Sequence, residues 1–233
     1  MSPISNRLHP RWWEDQRYAL VALRDTIHDV LEERLGSGSG TTVVDLGAED
    51  APYRPLFEDA GCRYITCDLG AGADVQIQPG EPVPLEDASA DLVVSFQVLE
   101  HVWDLEWYLG ECRRLLKPTG WLILSTHGVW LYHPHPTDFR RWTESGLTEE
   151  LRTHGFTPVD VRPVVGPLAW PLNFYLIAVS VTLDRLGRLG RALFVPIGAL
   201  VNLLFPILDR LTPAQLRREN AAVYVVTSTR RDS

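Results

Sequence analysis

Two short stretches place carboxylates where they could bind a nucleotide. The run "VVDLGAED" carries Asp45 and Gly47 after a β-branched segment, and "YITCDLG" carries Asp68 after the next one. A carboxylate at such a strand end can accept hydrogen bonds from both hydroxyls of a ribose. The sequence lacks the G-x-G-x-x-G fingerprint of dinucleotide sites, so an NAD or FAD site is the weaker interpretation. The pattern predicts a site for an adenosine-containing ligand.

A second group of reactive side chains lies in "HPHPTDFRRWT" (133–143). His133 and Asp138 could act as a general base and its orienting acid, and Arg141 could clamp an anionic substrate group. The structural alternative is an Asp138–Arg141 pair that pins the loop, and both roles can coexist. A metal held by His133, His135 and Asp138 is a rival idea, but H-x-H alone is weak evidence, and we predict no metal site.

Two further histidines follow predicted strands. His101 lies in the "LEH" turn after "DLVVSF" (91–96), and His127 ends "WLILSTH" (121–127). Each could be a packed, hydrogen-bonded side chain or a residue that faces a ligand. Because histidine titrates near neutral pH, either one could also move a proton.

These residues need a sheet whose strands end at one edge. After the flexible "GSGSG" (36–40), strands are predicted at 41–46, 63–68, 73–77, 91–96, 121–127, 157–165 and 221–229. Helices are predicted at 11–35, 54–61, 104–116 and 147–154. Such alternation predicts parallel strands, with ligands bound beyond their carboxyl ends. We expect an α/β domain over 41–233, preceded by an N-terminal helical segment, 1–40.

Taken in order, these blocks resemble class I S-adenosylmethionine-dependent methyltransferases. The resemblance covers about residues 41–165 and the last strand. Its pieces are "VVDLGAED", "YITCDLG", "EDASADLVVSFQVLEHVWD", "ECRRLLKPTGWLILSTH" and "AVYVVTS". It implies a Rossmann-like fold with a seven-stranded, mostly parallel sheet and an antiparallel last strand. It also implies S-adenosyl-L-methionine as the cofactor.

The resemblance assigns the cofactor contacts residue by residue. Asp45 and Gly47 would line the methionine end, and Asp68 would hold the ribose. The other implied contacts are Leu69, Asp74 and Val75 around the adenine, and Gln97 beside both cofactor and acceptor.

Glu49 departs from the family pattern, which has glycine at this position. A Cβ penalises a left-handed backbone by roughly 1–2 kcal/mol. The carboxylate would repel the carboxylate of the methionine moiety, yet it could pair with its ammonium group. We therefore include Glu49 among the cofactor contacts, and a non-catalytic descendant is the alternative.

Residues 133–143 resemble the "H-P-x-P-x-D-F-x-R-Y-T" element of methyltransferases from bacterial glycan and cell-envelope gene clusters. This implies O-methylation of a sugar, a lipid-linked glycan or a related metabolite. We predict His133, Asp138 and His101 as catalytic residues, and His127, His135 and Arg141 as acceptor contacts. Methylation of a small lipophilic acceptor, such as a quinone or polyketide, is the second interpretation.

An apolar region interrupts the alternating pattern. Residues 168–183 and 192–208 carry no charge and flank "DRLGRLGR". Both stretches are short for a membrane span of about 20 residues, and both contain prolines. A buried helical hairpin, a membrane-docking surface and a true span all remain open, and 168–216 is expected to form a helical insertion between strands six and seven. If strand seven is antiparallel to strand six, this insertion emerges at the ligand edge and could act as a lid.

Composition and charge limit the classes of partner and the cellular location that we expect for the protein. The 233-residue chain is 45% hydrophobic and has a net charge of -8, which argues against a nucleic-acid-binding surface. The first residues lack the apolar core of a signal peptide, and the three cysteines have no metal spacing. We expect a cytoplasmic protein, in which 168–208 is the candidate region for contact with a membrane surface. A non-catalytic, membrane-associated binding module is the alternative from a different class.

Overall fold

The computed structural model of the protein describes residues 5–35, 40–134 and 137–231. The strands are β1 (Thr42–Leu46), β2 (Arg63–Asp68), β3 (Val75–Gln76), β4 (Ala90–Phe96), β5 (Leu116–His127), β6 (Phe156–Val164) and β7 (Val223–Arg230). The helices are α1 (Ser5–Leu8), α2 (Arg17–Leu35), α3 (Arg54–Asp59), α4 (Leu105–Leu115), α5 (Glu144–Thr153), α6 (Trp170–Asp184), α7 (Arg188–Leu211) and α8 (Ala214–Glu219). A single 3-10 turn covers Leu99–His101 among these residues.

The seven strands form one sheet in the order β3-β2-β1-β4-β5-β7-β6. β7 runs antiparallel to β5 and to β6, while the pairs from β3 to β5 are parallel. This confirms the Rossmann-like fold, with its mostly parallel sheet and antiparallel last strand. The parallel strands carry β-branched and apolar runs because helices cover both of their faces.

Neighbouring residues of β1 point into different cores, as the two-residue period of a strand requires. Val43 belongs to the cluster that packs α2, α3, α6 and α7 against one face of the sheet. Val44 belongs to the cluster that packs α4 and α5 against the other face. The sheet is therefore a buried platform, and its carboxyl edge is where polar side chains can gather.

The segment between β6 and β7 is helical and emerges at the ligand edge, as expected. His127 and Val164 both pair with Val223 at the start of β7, so β5 and β6 end in the same row. Helices α6, α7 and α8 follow β6 from this edge. The helix α8 is not predicted by the sequence pattern.

The N-terminal helix begins later than predicted, at Arg17 rather than near residue 11. Asn202 of α7 donates hydrogen bonds to the carbonyl oxygens of Trp12 and Glu14 at 3.0 Å, and Asn173 of α6 donates to Asp15 at 2.9 Å. These side chains bind carbonyls that a longer helix would use internally. The predicted start is wrong because a tertiary contact competes with the local helical pattern.

Two other elements also differ from the sequence pattern. The strand predicted at 121–127 begins earlier, because α4 ends at Leu115 and β5 runs from Leu116 to His127. Pro196 and Pro206 lie inside one continuous helix, α7. Its buried stripe, which includes Phe194 and Phe205, packs into the core and offsets the roughly 3 kcal/mol that an internal proline costs. The "GSGSG" joint lies outside the described residues except for Gly40.

Candidate active site

The turn after β1 has the backbone that close approach to a ligand requires. Gly47 has a φ of +82°, and its N–H donates to the carbonyl oxygen of Cys67 at 2.8 Å. Glu49 also has a positive φ, +49°, so the penalty on a residue with a Cβ is present. Its N–H donates to Asp68 Oδ2 at 2.8 Å, which holds the turn against the end of β2.

The Glu49 side chain points toward α1, the short helix that contains Arg7. Its Oε2 lies 3.3 Å from Arg7 Nη2, and more than half of the side chain is exposed. The carboxylate therefore has a positively charged partner within the protein. Its predicted pairing with the methionine ammonium of the cofactor stays a prediction, and it would require the carboxylate to leave Arg7.

Asp45 is buried and accepts a hydrogen bond from the Tyr64 hydroxyl at 2.6 Å. Burial raises the pKa of Asp45 to about 7, although the Tyr64 hydrogen bond acts in the opposite direction. Near neutral pH this carboxyl group can thus hold or lose its proton. A cationic group at this turn, such as an ammonium, would favour the charged form.

Gly47→Ala is expected to destabilise the protein by about 2–3 kcal/mol. A Cβ there would lie 2.6 Å from Val98 Cγ1 and 2.8 Å from Cγ2, in addition to the strain of the positive φ. Denaturant unfolding measures the loss. Val98→Ala in the same chain should restore the part due to the clash and leave the part due to φ. Equal stability of the wild type and Gly47→Ala would contradict this packing.

Asp68 is the last residue of β2 and retains free acceptor capacity. Its Oδ1 accepts from the Gly70 N–H at 3.0 Å, and its Oδ2 accepts from Glu49. A carboxylate offers about four lone-pair sites, so two remain for ribose hydroxyls. The two backbone bonds also fix the direction of the carboxylate before any ligand binds.

The remaining predicted cofactor residues surround this edge with different exposures. Leu69 is exposed, which suits a side chain that would flank an adenine. Asp74 Oδ2 already accepts from the Thr66 hydroxyl and backbone N–H and from Arg54, and these bonds lower the pKa of Asp74. Asp74 thus joins β2 to β3, whose first residue is Val75.

Gln97 has a positive φ of +58° directly after β4. Its backbone N–H and its side-chain amide donate to the Ser125 carbonyl and hydroxyl oxygens, both at 2.9 Å. A left-handed non-glycine residue is strained, and such strain occurs at binding sites. The bonds to β5 hold it at the ligand edge, next to the histidines.

Three predicted histidines come together at the ends of β4 and β5. The ring centroids of His133 lie 4.9 Å from His101 and 4.8 Å from His127, in edge-to-face contact. His101 Nδ1 lies 2.7 Å from the carbonyl oxygen of Thr137, which therefore accepts its N–H. Burial, together with His127 and His101, lowers the pKa of His133 to about 4, so this imidazole is neutral at pH 7.

Glu100 is a member of this cluster that we did not predict. It is fully buried, its Oε2 accepts from the Thr126 hydroxyl at 2.8 Å, and its Oε1 lies 2.6 Å from His127 Nδ1. Burial alone would raise the pKa of Glu100, but His127 and Thr126 outweigh it and lower the value. Its position in the "LEH" turn, beside the predicted His101, was the available signal.

Asp138 and Arg141 form a buried pair that pins the loop. Both terminal nitrogens of Arg141 donate to the Asp138 carboxylate, whose side chain is 1% exposed. Burial would raise the pKa of Asp138, but the Arg141 bonds and the His133 backbone N–H hold it well below its usual range. Arg141 also donates to the carbonyl oxygens of Trp130, Leu131 and Arg140.

The loop-pinning alternative therefore describes the observed geometry. Internal acceptors occupy the Arg141 donors, so its predicted role as a clamp for an anionic acceptor has no contact to support it. His133 Nδ1 is 3.4 Å from Asp138 Oδ2, longer than a good hydrogen bond. His135, predicted to contact the acceptor and weighed as a metal ligand with His133 and Asp138, lies outside the described residues.

Comparison with known proteins agrees with this geometry. Residues 35–124 match the family described as "Methyltransferase domain". A "Probable S-adenosylmethionine-dependent methyltransferase" of Mycolicibacterium smegmatis is 31% identical over 155 residues, or 59% of this chain and 60% of that protein. The "Ubiquinone biosynthesis O-methyltransferase" of Bordetella avium is 28% identical over 137 residues, or 51% of this chain and 57% of that protein.

Solved structures show the same fold at low sequence identity. The Burkholderia thailandensis 1,6-didemethyltoxoflavin-N1-methyltransferase, solved with S-adenosylhomocysteine, has a TM-score of 0.55 and 20% identity over 91% of this chain and 79% of that one. The cyclase SpnF has a TM-score of 0.58 and 16% identity, and the match covers 90% of this chain and 81% of that one. The fold thus also carries a cyclase, so the reaction must be argued from the site.

The chain spans a little over half of the length of the relatives it matches, 60% of the Mycolicibacterium smegmatis protein and 53% of a Mycobacterium tuberculosis methyltransferase. Residues 35–124 are thus similar to the methyltransferase-domain family, and 59% of the chain is similar to a probable S-adenosylmethionine-dependent methyltransferase.

Proposed function

We propose that the protein transfers the methyl group of S-adenosyl-L-methionine to an oxygen of a sugar, a lipid-linked glycan or a related metabolite. The observation that carries this proposal is the group of three histidines with Glu100 beside Gln97, at the edge where the cofactor residues also lie. Methyl transfer from a sulfonium needs alignment and exclusion of water. A hydroxyl acceptor also needs a base, which an amine acceptor needs less.

Asp45, Gly47 and Asp68 are the proposed contacts of the methionine and ribose parts of the cofactor, with Leu69 and Val75 near the adenine. His133, which is neutral at pH 7 and whose ring contacts those of His101 and His127, is the proposed base. Glu100 and His127 form the closer acid–histidine pair, so a proton could pass to them as well. Asp138 acts through the loop, which it holds in place together with Arg141.

The acceptor can be identified with a labelled-methyl transfer assay on a fractionated cell extract, including its lipid-linked fraction. The proposal predicts label in a saccharide-containing product that resists mild base and contains an O-methyl group. Label in a quinone-like product would favour the second interpretation, methylation of a small lipophilic acceptor. The similarity to the Bordetella avium protein and the apolar helices α6 and α7 support that interpretation. Absence of S-adenosylmethionine binding in a titration would leave only a non-catalytic binding module.

His133→Ala is expected to lower turnover at least tenfold and to change the dissociation constant of S-adenosylmethionine less than twofold, because the ring lies on the acceptor side. Asp138→Ala should do the same by releasing the loop. His154→Ala is the matched control, since His154 is also buried beside carboxylates, Glu106 and Glu150, but belongs to α5 and its C-terminus. Wild-type turnover in the His133 and Asp138 variants would remove both roles.

We also propose that helices α6 and α7 contact a membrane surface and bring a greasy acceptor to the site. By length and composition α7 could cross a membrane, but this is weak evidence. One of its faces packs against the N-terminal segment, where a Cβ on Gly198 would lie 2.3 Å from the Trp13 carbonyl oxygen. The opposite face exposes Leu193, Leu200 and Leu203. A helix with one face bound to protein favours docking over spanning.

Arginines between the two helices fit anionic lipid headgroups. Arg185, Arg188 and Arg191 are exposed around the turn between α6 and α7. Stacking connects the region to the site, since His127 stacks on Trp130 and Trp130 packs on Phe174 of α6.

Flotation with vesicles of phosphatidylglycerol and phosphatidylcholine tests this surface. The wild type should float, and a Leu200→Glu, Leu203→Glu variant should not. Leu216→Glu is the matched control, because this exposed leucine lies on α8. A wild-type chain that stays at the bottom of the gradient would exclude membrane contact.

A further inference from the structure

The histidine cluster offers a set of metal ligands as well as a base. One carboxylate oxygen of Glu100 and one ring nitrogen each of His127 and His133 lie within 4.8 Å of one another. Two imidazoles and a carboxylate are a ligand set of catalytic zinc, which keeps a fourth position open. We propose that these three residues bind one divalent transition-metal ion, with zinc as the best fit.

The first argument is that none of the three donor atoms has a well-directed hydrogen-bond partner among the described residues. Glu100 Oε1, His127 Nδ1 and His133 Nδ1 are each buried and have no hydrogen-bond partner within residues 5–35, 40–134 and 137–231. Glu100 Oε1 and His127 Nδ1 are 2.6 Å apart, but they do not form a well-directed hydrogen bond. Buried polar atoms in native proteins are nearly always satisfied, so three unsatisfied atoms in one cluster indicate a bound group.

The second argument is burial. The Glu100 side chain is 0% exposed and that of His127 is 6% exposed. A carboxylate withdrawn from water needs a positive partner to compensate for its lost hydration. The arginine of the neighbouring loop, Arg141, is already paired with Asp138 and cannot supply that charge. A divalent cation at Glu100 Oε1 can.

The third argument is that each ligand is held by a neighbour, as metal ligands usually are. The Thr126 hydroxyl binds Glu100 Oε2 and leaves Oε1 for the ion. Trp130 stacks on His127 with its ring 13° from parallel. The backbone N–H of His133 donates to Asp138, which fixes the loop that carries the imidazole.

The distances require a small adjustment. Ligands of a tetrahedral ion with bonds of about 2.1 Å are roughly 3.4 Å apart. The Glu100–His127 contact must therefore widen by less than an ångström, and His133 must close toward the pair. Side-chain rotation can bring His133 closer, because His133 lies on a loop and its side chain is 32% exposed.

This site differs from the H-x-H arrangement that the sequence suggested and that we did not favour. Neither His135 nor Asp138 is a ligand in it, and two of its three ligands come from the ends of β4 and β5. If the proposed methyl transfer holds, an ion bound here would polarise an acceptor hydroxyl and ease loss of its proton, and it would do so in place of His133 acting as a free base. The metal site itself stands on the ligand geometry alone.

Titration of the full chain with zinc chloride, followed by calorimetry, tests the proposal without cofactor or acceptor. We expect one equivalent to bind, and cobalt(II) in its place to give visible absorption of a tetrahedral site. His127→Gln and His133→Gln should each weaken binding at least tenfold. Zinc should also raise the melting temperature of the wild type but not of these variants.

His28→Gln is the matched control, because His28, Asp29 and Glu32 form an exposed group with similar ligand atoms. Zinc binding lost with His28→Gln and kept in the cluster variants would overturn the proposal, as would a wild type that binds no zinc. If the buried His127 variant does not fold, the loop variant His133→Gln decides the matter. Zinc binding without any methyl transfer would refute the proposed function and leave the metal site intact.

Discussion

Asp45→Asn is expected to stabilise the cofactor-free protein increasingly as pH rises from 5 to 8. Asp45 is buried, and its pKa is raised to about 7 from an unfolded value near 3.8. The folded chain therefore binds the proton more tightly than the unfolded chain, and the wild type loses stability as the pH rises through this interval. Asparagine stays neutral and has no such loss. The gap between variant and wild type should widen by about 2–3 kcal/mol.

Urea unfolding at several pH values measures this gap. A constant offset between the two curves is expected as well, because the new amide donors must find partners in a buried position. The change with pH, and not the offset, is therefore the test. Asp50→Asn serves as the control, since Asp50 is an exposed acid on the same turn. If the free energies of unfolding of the wild type and Asp45→Asn change with pH in parallel, burial does not raise the pKa of Asp45.

Asp68→Ala is expected to weaken S-adenosylhomocysteine binding by at least about 100-fold in calorimetry. Hydrogen bonds to a charged group contribute about 1.5–3 kcal/mol each, and a ribose would make two with this carboxylate. Asp68 also holds the Glu49 and Gly70 N–H groups, so the turn loses order in the variant. Asp68→Asn, which keeps one acceptor oxygen, should fall between the alanine variant and the wild type.

Asp50→Ala again provides the control, because it removes an acidic side chain from the same turn without touching the carboxylate at the end of β2. Unchanged affinity in Asp68→Ala would contradict the ribose assignment and with it the placement of the cofactor. Loss of affinity in Asp50→Ala of equal size would show that net charge, and not a directed contact, governs binding.

Both predictions concern a strained turn. The glycine at position 47 predicts a turn of this kind. For Glu49, the sequence predicts only that a left-handed backbone would cost energy. The structure shows how it is tolerated, because Asp68 accepts the Glu49 N–H and Arg7 pairs with its side chain. Local strain of this kind persists where surrounding contacts determine the backbone.

Sequence periodicity determined the strands, their order of appearance and the buried faces of most helices. It did so because a strand in a parallel sheet that is covered on both faces consists mainly of consecutive apolar residues. It also determined which acidic residues follow β1 and β2, since carboxyl ends of parallel strands meet at one edge. Helix ends were less predictable. The start of α2 at Arg17 is an example, because Asn173 and Asn202, which are distant in sequence, donate hydrogen bonds to the backbone just before it.

Only the tertiary structure decided what the histidine-rich loop does. The sequence assigned Asp138 and Arg141 to catalysis and substrate binding, or to each other, and the fold pairs them because a buried carboxylate needs a charge-assisted partner. The sequence named His101, His127 and His133 separately, and their convergence on Glu100 follows from β4 and β5 lying side by side. A residue type shows which chemistry a side chain can do, whereas its partners depend on strand order, which no local pattern encodes.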